Sequence, residues 1–280
     1  MKKFGFILFF AIFPFGVFAW ESCGENSNCV YNIENGVLTI RGTGTNGEGH
    51  MPAYNYFNDD TEGLGGYATT APWFSSRQEI TSVKIEKGID NVGAAAFMNI
   101  TLTSVELPDN LKSIDGHAFW YSGLTEINIP NSVETIGDYA IEHNPFTSLV
   151  IPDSVTSIGD YALSQLSVSG TVLEDIYVGS GIDTIGTGVL SGSYQLKNVY
   201  CSKEKMQECA KMLSDSGKTE QQVAQMLKTY EKTGNRYVSD SKVYRSLSDM
   251  QKGVSVKRIY SVQEANMAAG KKNKVMIRYK

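Results

Sequence analysis

The chain is 280 residues long, with 41% apolar and 20% charged residues and a formal net charge of −5. Its acidic balance argues against nucleic acid as a partner. Four cysteines are present and none stands in a Cys-x-x-Cys pair, so neither a thioredoxin-like redox motif nor a zinc ribbon is indicated.

The net charge conceals an asymmetry. Residues 20–199 hold 6 Lys/Arg against 22 Asp/Glu, a balance of −16, and residues 200–280 hold 17 against 8, a balance of +9. Opposite charges favour docking of the basic stretch on the acidic one, or on an anionic polymer outside the cell. Two separately solvated surfaces fit the same counts.

Residues 1–19 read as a signal peptide. Lys2 and Lys3 precede an apolar run from Phe4 to Phe18, and Val17-Phe18-Ala19 suits cleavage before Trp20. A retained anchor is the alternative, but Pro14 interrupts the run and it is short for a membrane span. Ser22-Cys23 lacks the pattern of a lipidated cysteine. No later stretch is apolar enough to cross a bilayer, so the expected mature chain is exported and has no transmembrane segment.

Residues 20–79 form an expected N-terminal capping segment. Export permits disulfides, and Cys23 and Cys29 are near enough in sequence to close a small loop. Gly42-Thr43-Gly44-Thr45-Asn46-Gly47 spells Gly-x-Gly-x-x-Gly after a strand-like Val37–Ile40, yet a dinucleotide site needs a helix there and Glu48-Gly49-His50-Met51-Pro52 reads as loop. Asn58-Asp59-Asp60-Thr61-Glu62-Gly63 echoes half of a calcium loop, but the twelfth position is Thr69 instead of a bidentate acid, and a solvated acidic loop is the better reading.

From residue 80 the chain repeats itself. Ile80-Thr-Ser-Val83-Lys-Ile85, Leu102-Thr-Ser-Val105-Glu-Leu107-Pro108, Leu124-Thr-Glu-Ile127-Asn-Ile129-Pro130, Phe146-Thr-Ser-Leu149-Val-Ile151-Pro152 and Leu173-Glu-Asp-Ile176-Tyr-Val178 superpose, and a worn copy follows at Leu196-Lys-Asn-Val199-Tyr-Cys201. The first four begin 22 residues apart; the next steps are 27 and 23. Each of the first five has a second half, such as Ile136-Gly137…Ala140-Ile141 or Ile158-Gly159…Ala162-Leu163. A fixed period of this length means a solenoid, because one unit cannot bury its apolar side chains and needs neighbours stacked on both flanks. Alternation puts Ile127 and Ile129 on one face of a short strand with Asn128 facing solvent, and the following prolines sit where a missing N–H breaks no ladder. Gly137 or Gly159 marks the bend into a second extended segment.

The unit Leu-x-x-Ile-x-Ile-Pro-x-Ser-Val-x-x-Ile-Gly-x-x-Ala-Phe resembles the BspA-like leucine-rich repeat family. Cys23-Gly24-Glu25-Asn26, Gly36-Val37-Leu38-Thr39-Ile40…Gly42-Thr43-Gly44 and Ala71-Pro72-Trp73 resemble the capping segment that often precedes such repeats. The likeness covers about residues 23–200. Departures are Asp115 where glycine is usual, five extra residues around Ser167–Val172 and the missing second half after Cys201. The expected fold is therefore a mainly β repeat solenoid over residues 80–200, with an N-terminal β cap and a small C-terminal α+β tail at residues 201–280.

In the tail, Met206, Cys209, Ala210 and Leu213 at i, i+3, i+4 and i+7 predict a helix that Gly217 stops. Thr219-x-x-Gln222 opens a second, striped by Val223, Met226, Leu227 and Tyr230. Both are expected to cover the open end of the stack. Cys201 fills the slot of Ile129 and reads as a small core residue, or as the partner of Cys209 eight residues on. Further along, Val256 to Tyr260 is expected extended, Ser261-x-x-Glu264 to cap a short helix through Ala269, and Val275, Ile277 and Tyr279 to alternate as a strand.

The sequence offers a binding surface and nothing that points to catalysis. His50, His117 and His143 are scattered, so no metal and no cofactor is expected, and His117 occupies the slot of Tyr139 and Tyr161, which suits a ring ladder. No Gly-x-Ser-x-Gly elbow is present. The outward strand positions Lys84, Glu106, Asn128, Val150, Tyr177 and Tyr200 form a varied row over a fixed apolar frame, as a recognition face would. Drift at solvent-exposed positions gives the same row. Trp120 and Tyr121 are the aromatic candidates for an interface anchor, or a shield for the loop beneath. The family resemblance implies an exported, non-enzymatic protein that recognises extracellular protein or glycan through the repeat sheet, secreted or at the cell surface. A periplasmic scaffold held to an envelope polymer by its basic tail is the competing reading.

Overall fold

The computed structural model describes residues 20–25, 27–58, 67–165, 173–234, 236–239, 242–244, 246–253 and 257–258. The leader, the acidic 59–62 stretch, the insertion around 167–172 and the helix and strand expected after residue 260 lie outside these residues.

The described residues begin with an antiparallel cap of β1 (Glu21–Ser22), β2 (Cys29–Glu34) and β3 (Val37–Gly42). Asn35 and Gly36, with φ of 50° and 80°, make the tight turn between β2 and β3, where a left-handed backbone matches the strand twist. A hairpin of β4 (Tyr56–Asn58) and β5 (Tyr67–Thr69) follows. The first repeat strand, β6 (Ser82–Ile85), then pairs parallel with β3 in the register Leu38↔Val83 and Ile40↔Ile85. The cap thus closes an edge that would otherwise expose unpaired backbone groups.

The repeats contribute strands to two parallel ladders. The second halves form a continuous one: β7 (Asn91–Val92), β9 (Ser113–Ile114), β10 (Thr135–Ile136), β12 (Ser157–Ile158) and β14 (Thr184–Ile185). The first halves form β6, β8 (Ser104–Glu106), β11 (Ser148–Ile151), β13 (Asp175–Val178) and β15 (Asn198–Ser202). This ladder is broken. It runs from the cap through β6 to β8 and resumes at β11, and the Thr125–Ile129 backbone between them pairs with neither. Ile129 is still buried and Asn128 exposed, so the side-chain alternation holds without the strand bonds.

Between the ladders lies one apolar core of Val83, Ile85, Ile114, Ile136, Ile151, Ile158 and Ile176, with Trp73, Phe97 and Phe119 stacked at one end. Trp73 Nε1 donates to Ala96 O at 2.7 Å, which satisfies the indole polar edge in that core. After the bend each coil passes through a left-handed residue: Ala95, His117, Tyr139, Tyr161 and Gly188. Neighbouring coils come so close that a Cβ at Gly137 would lie 2.6 Å from Gly116 N. Asp115, in the slot usual for glycine, turns its carboxylate to Asn91 Nδ2 at 2.9 Å and Ser113 Oγ at 2.7 Å.

The C-terminal part corrects the sequence reading in one respect. α1 (Met206–Asp215) forms as expected, and α2 (Glu220–Met226) opens with the Thr219/Gln222 capping box. The stripe does not continue as helix to Tyr230. At Leu227 the chain becomes β16 (Leu227–Thr233), paired parallel with β15 in the register Val199↔Leu227. The open edge of β15 offers a row of backbone partners, and Thr229, Tyr230 and Thr233 suit a strand, so tertiary pairing overrides the helical period. β17 (Arg236–Ser239), β18 (Lys242–Tyr244), α3 (Leu247–Gln251) and β19 (Lys257–Arg258) complete the chain described, with β16 to β19 antiparallel. The end of the stack is capped by strands with α1 packed beside them.

Cys201 and Cys209 are bridged. Cys23 and Cys29, expected to bridge, are two buried thiols. They lie opposite each other next to the Ser22↔Val30 pair, and Cys23 N donates to Cys29 O at 3.1 Å. The two thiols face each other closely enough to hydrogen-bond, and that contact pushes the Cys23 thiol up and the Cys29 thiol down. Cys29 Sγ also donates to His50 O at 3.6 Å.

Candidate functional site

The row of outward strand positions exists, and the C-terminal unit divides it. Lys84 and Glu106 stand in solvent with a loose ion pair at 3.9 Å, and Asn128 is exposed beside them. Tyr177 is only 5% exposed and stacks on Tyr200 with ring centroids 4.4 Å apart. Tyr230, Tyr237, Tyr244, Leu247 and Met250 close over it, with Val150 and Tyr200 packed at the margin. The expectation that Tyr177 faces a partner is therefore corrected: β16 carries the chain onward from β15, and β17, β18 and α3 fold back across the sheet.

Asp153 fastens this cover. Its carboxylate accepts hydrogen bonds from Ser180 N at 2.7 Å, Ser180 Oγ at 2.9 Å and the Tyr237 hydroxyl, and pairs with Lys232 Nζ at 2.7 Å. Burial works against its charge, but the Lys232, Tyr237 and Ser180 hydrogen bonds outweigh it and hold the carboxyl below the usual range. Tyr230 donates to Val178 O at 2.6 Å, and Gln251 Nε2 reaches Ser148 Oγ at 2.6 Å. Ser246 Oγ caps α3 by accepting from Asp249 N. The charge asymmetry is thus partly realised within the chain, as the Lys232–Asp153 pair and the Lys205–Asp183 pair at 3.1 Å.

Where the cover stops, a cleft of about 680 Å³ opens. One wall is the broken part of the ladder, with Ser104, Glu126 and Asn128; the other is α3 with its cap, including Ser248, Gln251 and Lys252. A sheet face, a helix and a loop of three repeats thus converge on one depression. Its polar groups are hydroxyls and carboxamides together with the paired Lys232 and Asp153 and the single charges of Glu126 and Lys252, an arrangement suited to gripping a ligand by many hydrogen bonds.

A second exposed surface lies on the flank of the stack. Tyr121 is 49% exposed, and Trp120 is half-buried with Nε1 donating to Glu142 Oε2 at 2.8 Å. Tyr67 from the β4–β5 hairpin packs edge-on against Trp120 at 5.1 Å, and Tyr56 lies on His117 at 4.6 Å. Tyr56, Phe57, Tyr67 and Tyr121 all stand out about half exposed. His117, Tyr139 and Tyr161 form the ring ladder expected of their slot, at 4.9 and 5.3 Å. Beneath Trp120, burial raises the Glu142 carboxyl and lowers the His143 imidazole from their usual ranges. The sequence reading found Trp120 and Tyr121 but not the hairpin aromatics, whose only signal is their density in Tyr54-Asn-Tyr56-Phe57.

His50 lies beside Asp90, with Nδ1 2.7 Å from Oδ1, and among the described residues no three metal-ligating side chains gather. Gly44 N donates to Glu48 O at 2.9 Å and Gly47 N to Gly44 O at 2.9 Å, so the glycine-rich loop closes on itself. Among the described residues no helix is long and apolar enough to cross a membrane.

Residues 70–169 match the profile of the BspA type leucine rich repeat region, in six copies. No curated protein matches. A leucine-rich repeat protein from Bacteroides ovatus is similar at 24% identity over 62% of this chain and 45% of its own, with a TM-score of 0.41. The T. pallidum leucine rich repeat protein is similar at 23% over 59% of this chain and 86% of its own, with a TM-score of 0.37. A leucine rich cell surface protein from Faecalibacterium prausnitzii is similar at 21% over 65% and 54%, with a TM-score of 0.32. The chain spans under half the length of the Bacteroides ovatus protein.

Proposed function

We propose that this chain, whose residues 70–169 are a BspA-type leucine-rich repeat region, is an exported, non-enzymatic binding protein that recognises an extracellular or cell-surface macromolecule. The cleft between the broken repeat ladder and α3 is the recognition site, with Glu126, Asn128 and Gln251 as contacts and Lys84 and Glu106 on the same open face. The observation that carries the reading is the cleft itself, a single depression lined from three repeats and the C-terminal unit. A rigid stack with a varied face is what a recognition scaffold needs, and the apolar frame beneath holds that face without contacting a ligand.

The test is direct. Labelled mature protein should bind saturably to intact bacterial cells, host cells or matrix-coated surfaces, with unlabelled protein competing and an Asn128→Arg variant failing to compete. Equal competition by that variant removes the cleft from the account.

A periplasmic role held by the basic tail remains the second reading, favoured by the net charge of +9 in residues 200–280. It requires retention that falls steeply with salt, since exposed charges are screened over about 8–10 Å at physiological ionic strength. External protease on intact producing cells separates the two, because a surface protein is digested and a periplasmic one is spared until permeabilisation.

A further inference from the structure

We propose that the cleft takes a neutral oligosaccharide; this rests on the reading of the cleft as the recognition site. Three features of the lining converge on that chemistry. Ser104, Asn128 and Ser248 are neutral groups that both donate and accept, or carry a donor and an acceptor side by side, and Gln251, whose Nε2 holds Ser148 Oγ, adds a carboxamide oxygen. Sugar hydroxyls do the same, so each can be matched in either sense. The backbone of Thr125–Ile129 hydrogen-bonds to neither neighbouring strand, and its N–H and C=O groups along the cleft floor add further partners of both kinds. Val105, Ile127 and Val150 supply apolar surface against which the C–H face of a pyranose ring packs.

The charges argue against the other occupants. Lys232 and Asp153 neutralise each other at 2.7 Å, which leaves Glu126 and Lys252 as one charge of each sign. An anionic or cationic polymer finds no matching field there. An extended peptide that binds as an added strand needs a free sheet edge, and the third repeat already runs between β8 and β11. The volume of about 680 Å³ falls in the range of small-ligand sites.

The experiment has two arms on the full mature chain. Calorimetric titration with chito-, cello-, malto- and manno-oligosaccharides and N-acetyllactosamine should find at least one binder. Asn128→Ala and Ser104→Ala should each weaken it about five- to tenfold, the effect of one lost hydrogen bond to a neutral partner. In parallel, surfaces that retain the protein are treated with periodate, which cleaves vicinal diols, or with protease. Loss after periodate with survival after protease is the expected pattern. Loss after protease with survival after periodate, together with a silent titration, overturns the saccharide and leaves the cleft with a protein partner. Binding confined to sulfated or uronic polymers and abolished by 0.5 M salt overturns the neutral chemistry. Binding that ignores both substitutions overturns the cleft as the site.

Discussion

Asp153, on the turn after β11, pairs with Lys232 of β16 at 2.7 Å, joining repeat and tail across 79 positions of sequence. The pair sits at the seam where the C-terminal unit folds over the recognition row, so it controls how much of that row is covered. Asp153→Asn should destabilise the docked unit by about 1–3 kcal/mol, because the Lys232 ammonium loses its counter-charge while partly buried. Hydrogen exchange should accelerate in residues 246–251 and stay unchanged around Phe97 and Phe119.

The same residue sets a pH dependence. Its carboxyl is held below the ordinary value, so its contribution is fully present above about pH 4, the unfolded carboxylate range, and is lost as pH falls through the lower folded value. Stability curves of wild type and Asp153→Asn should therefore converge below about pH 4. A gap that persists in acid contradicts the assignment.

Glu142 carries the opposite sign. Burial raises its carboxyl, so the native state favours the protonated form; the stability this gives is present below about pH 4 and is lost as pH rises through the higher folded value. Glu142→Gln keeps an oxygen for Trp120 Nε1 and removes a buried charge 3.9 Å from the neutral His143 ring. At pH 7 it should leave the Tm unchanged or raise it by about 2–4 °C. Thermal scans at pH 7 and pH 4 would show the benefit shrinking in acid.

Tyr177→Ala should act on stability before it acts on binding. Its ring is enclosed by Tyr200, Tyr230 and Tyr237, and truncation should cost about 3–5 kcal/mol, as for other large buried aromatics. Chemical denaturation should show the loss, with residues 227–251 unfolding first.

Non-reducing mass spectrometry of the folded chain should find one disulfide, Cys201–Cys209, and two thiols that alkylate only on unfolding. Cys209→Ser should cost about 2–3 kcal/mol, the loop entropy of a short bridge.

What the sequence made legible follows from period and spacing. Leu-x-x-Ile-x-Ile recurs often enough to place six strand-like segments, and glycine at the bend reports how closely coils approach. The break at Thr125–Ile129 was hidden because its side-chain pattern is that of its neighbours. The bonding differs just before it: Leu102 N donates to the backbone of Ser122 at 2.8 Å, while Leu124 N donates to the Asn144 side chain at 2.9 Å. A side-chain amide there stands where the preceding repeat has a backbone partner. The Gln251–Ser148 contact spans 103 positions, and no local pattern foretells such a pairing. β16 was misread because its period suits a helix and only the free edge of β15 makes it a strand. The cleft is built from these three features, so it appears only in three dimensions.

The most direct test compares the two exposed surfaces on one assay. Saturable binding of labelled protein to its target surface is measured for wild type, Asn128→Arg in the cleft and Tyr121→Ala on the aromatic flank, each checked for an unchanged Tm. The account predicts that Asn128→Arg loses at least about tenfold in affinity, as for obstruction of a central contact, while Tyr121→Ala binds as wild type. Loss with Tyr121→Ala and full binding by Asn128→Arg would contradict it and move recognition to the flank.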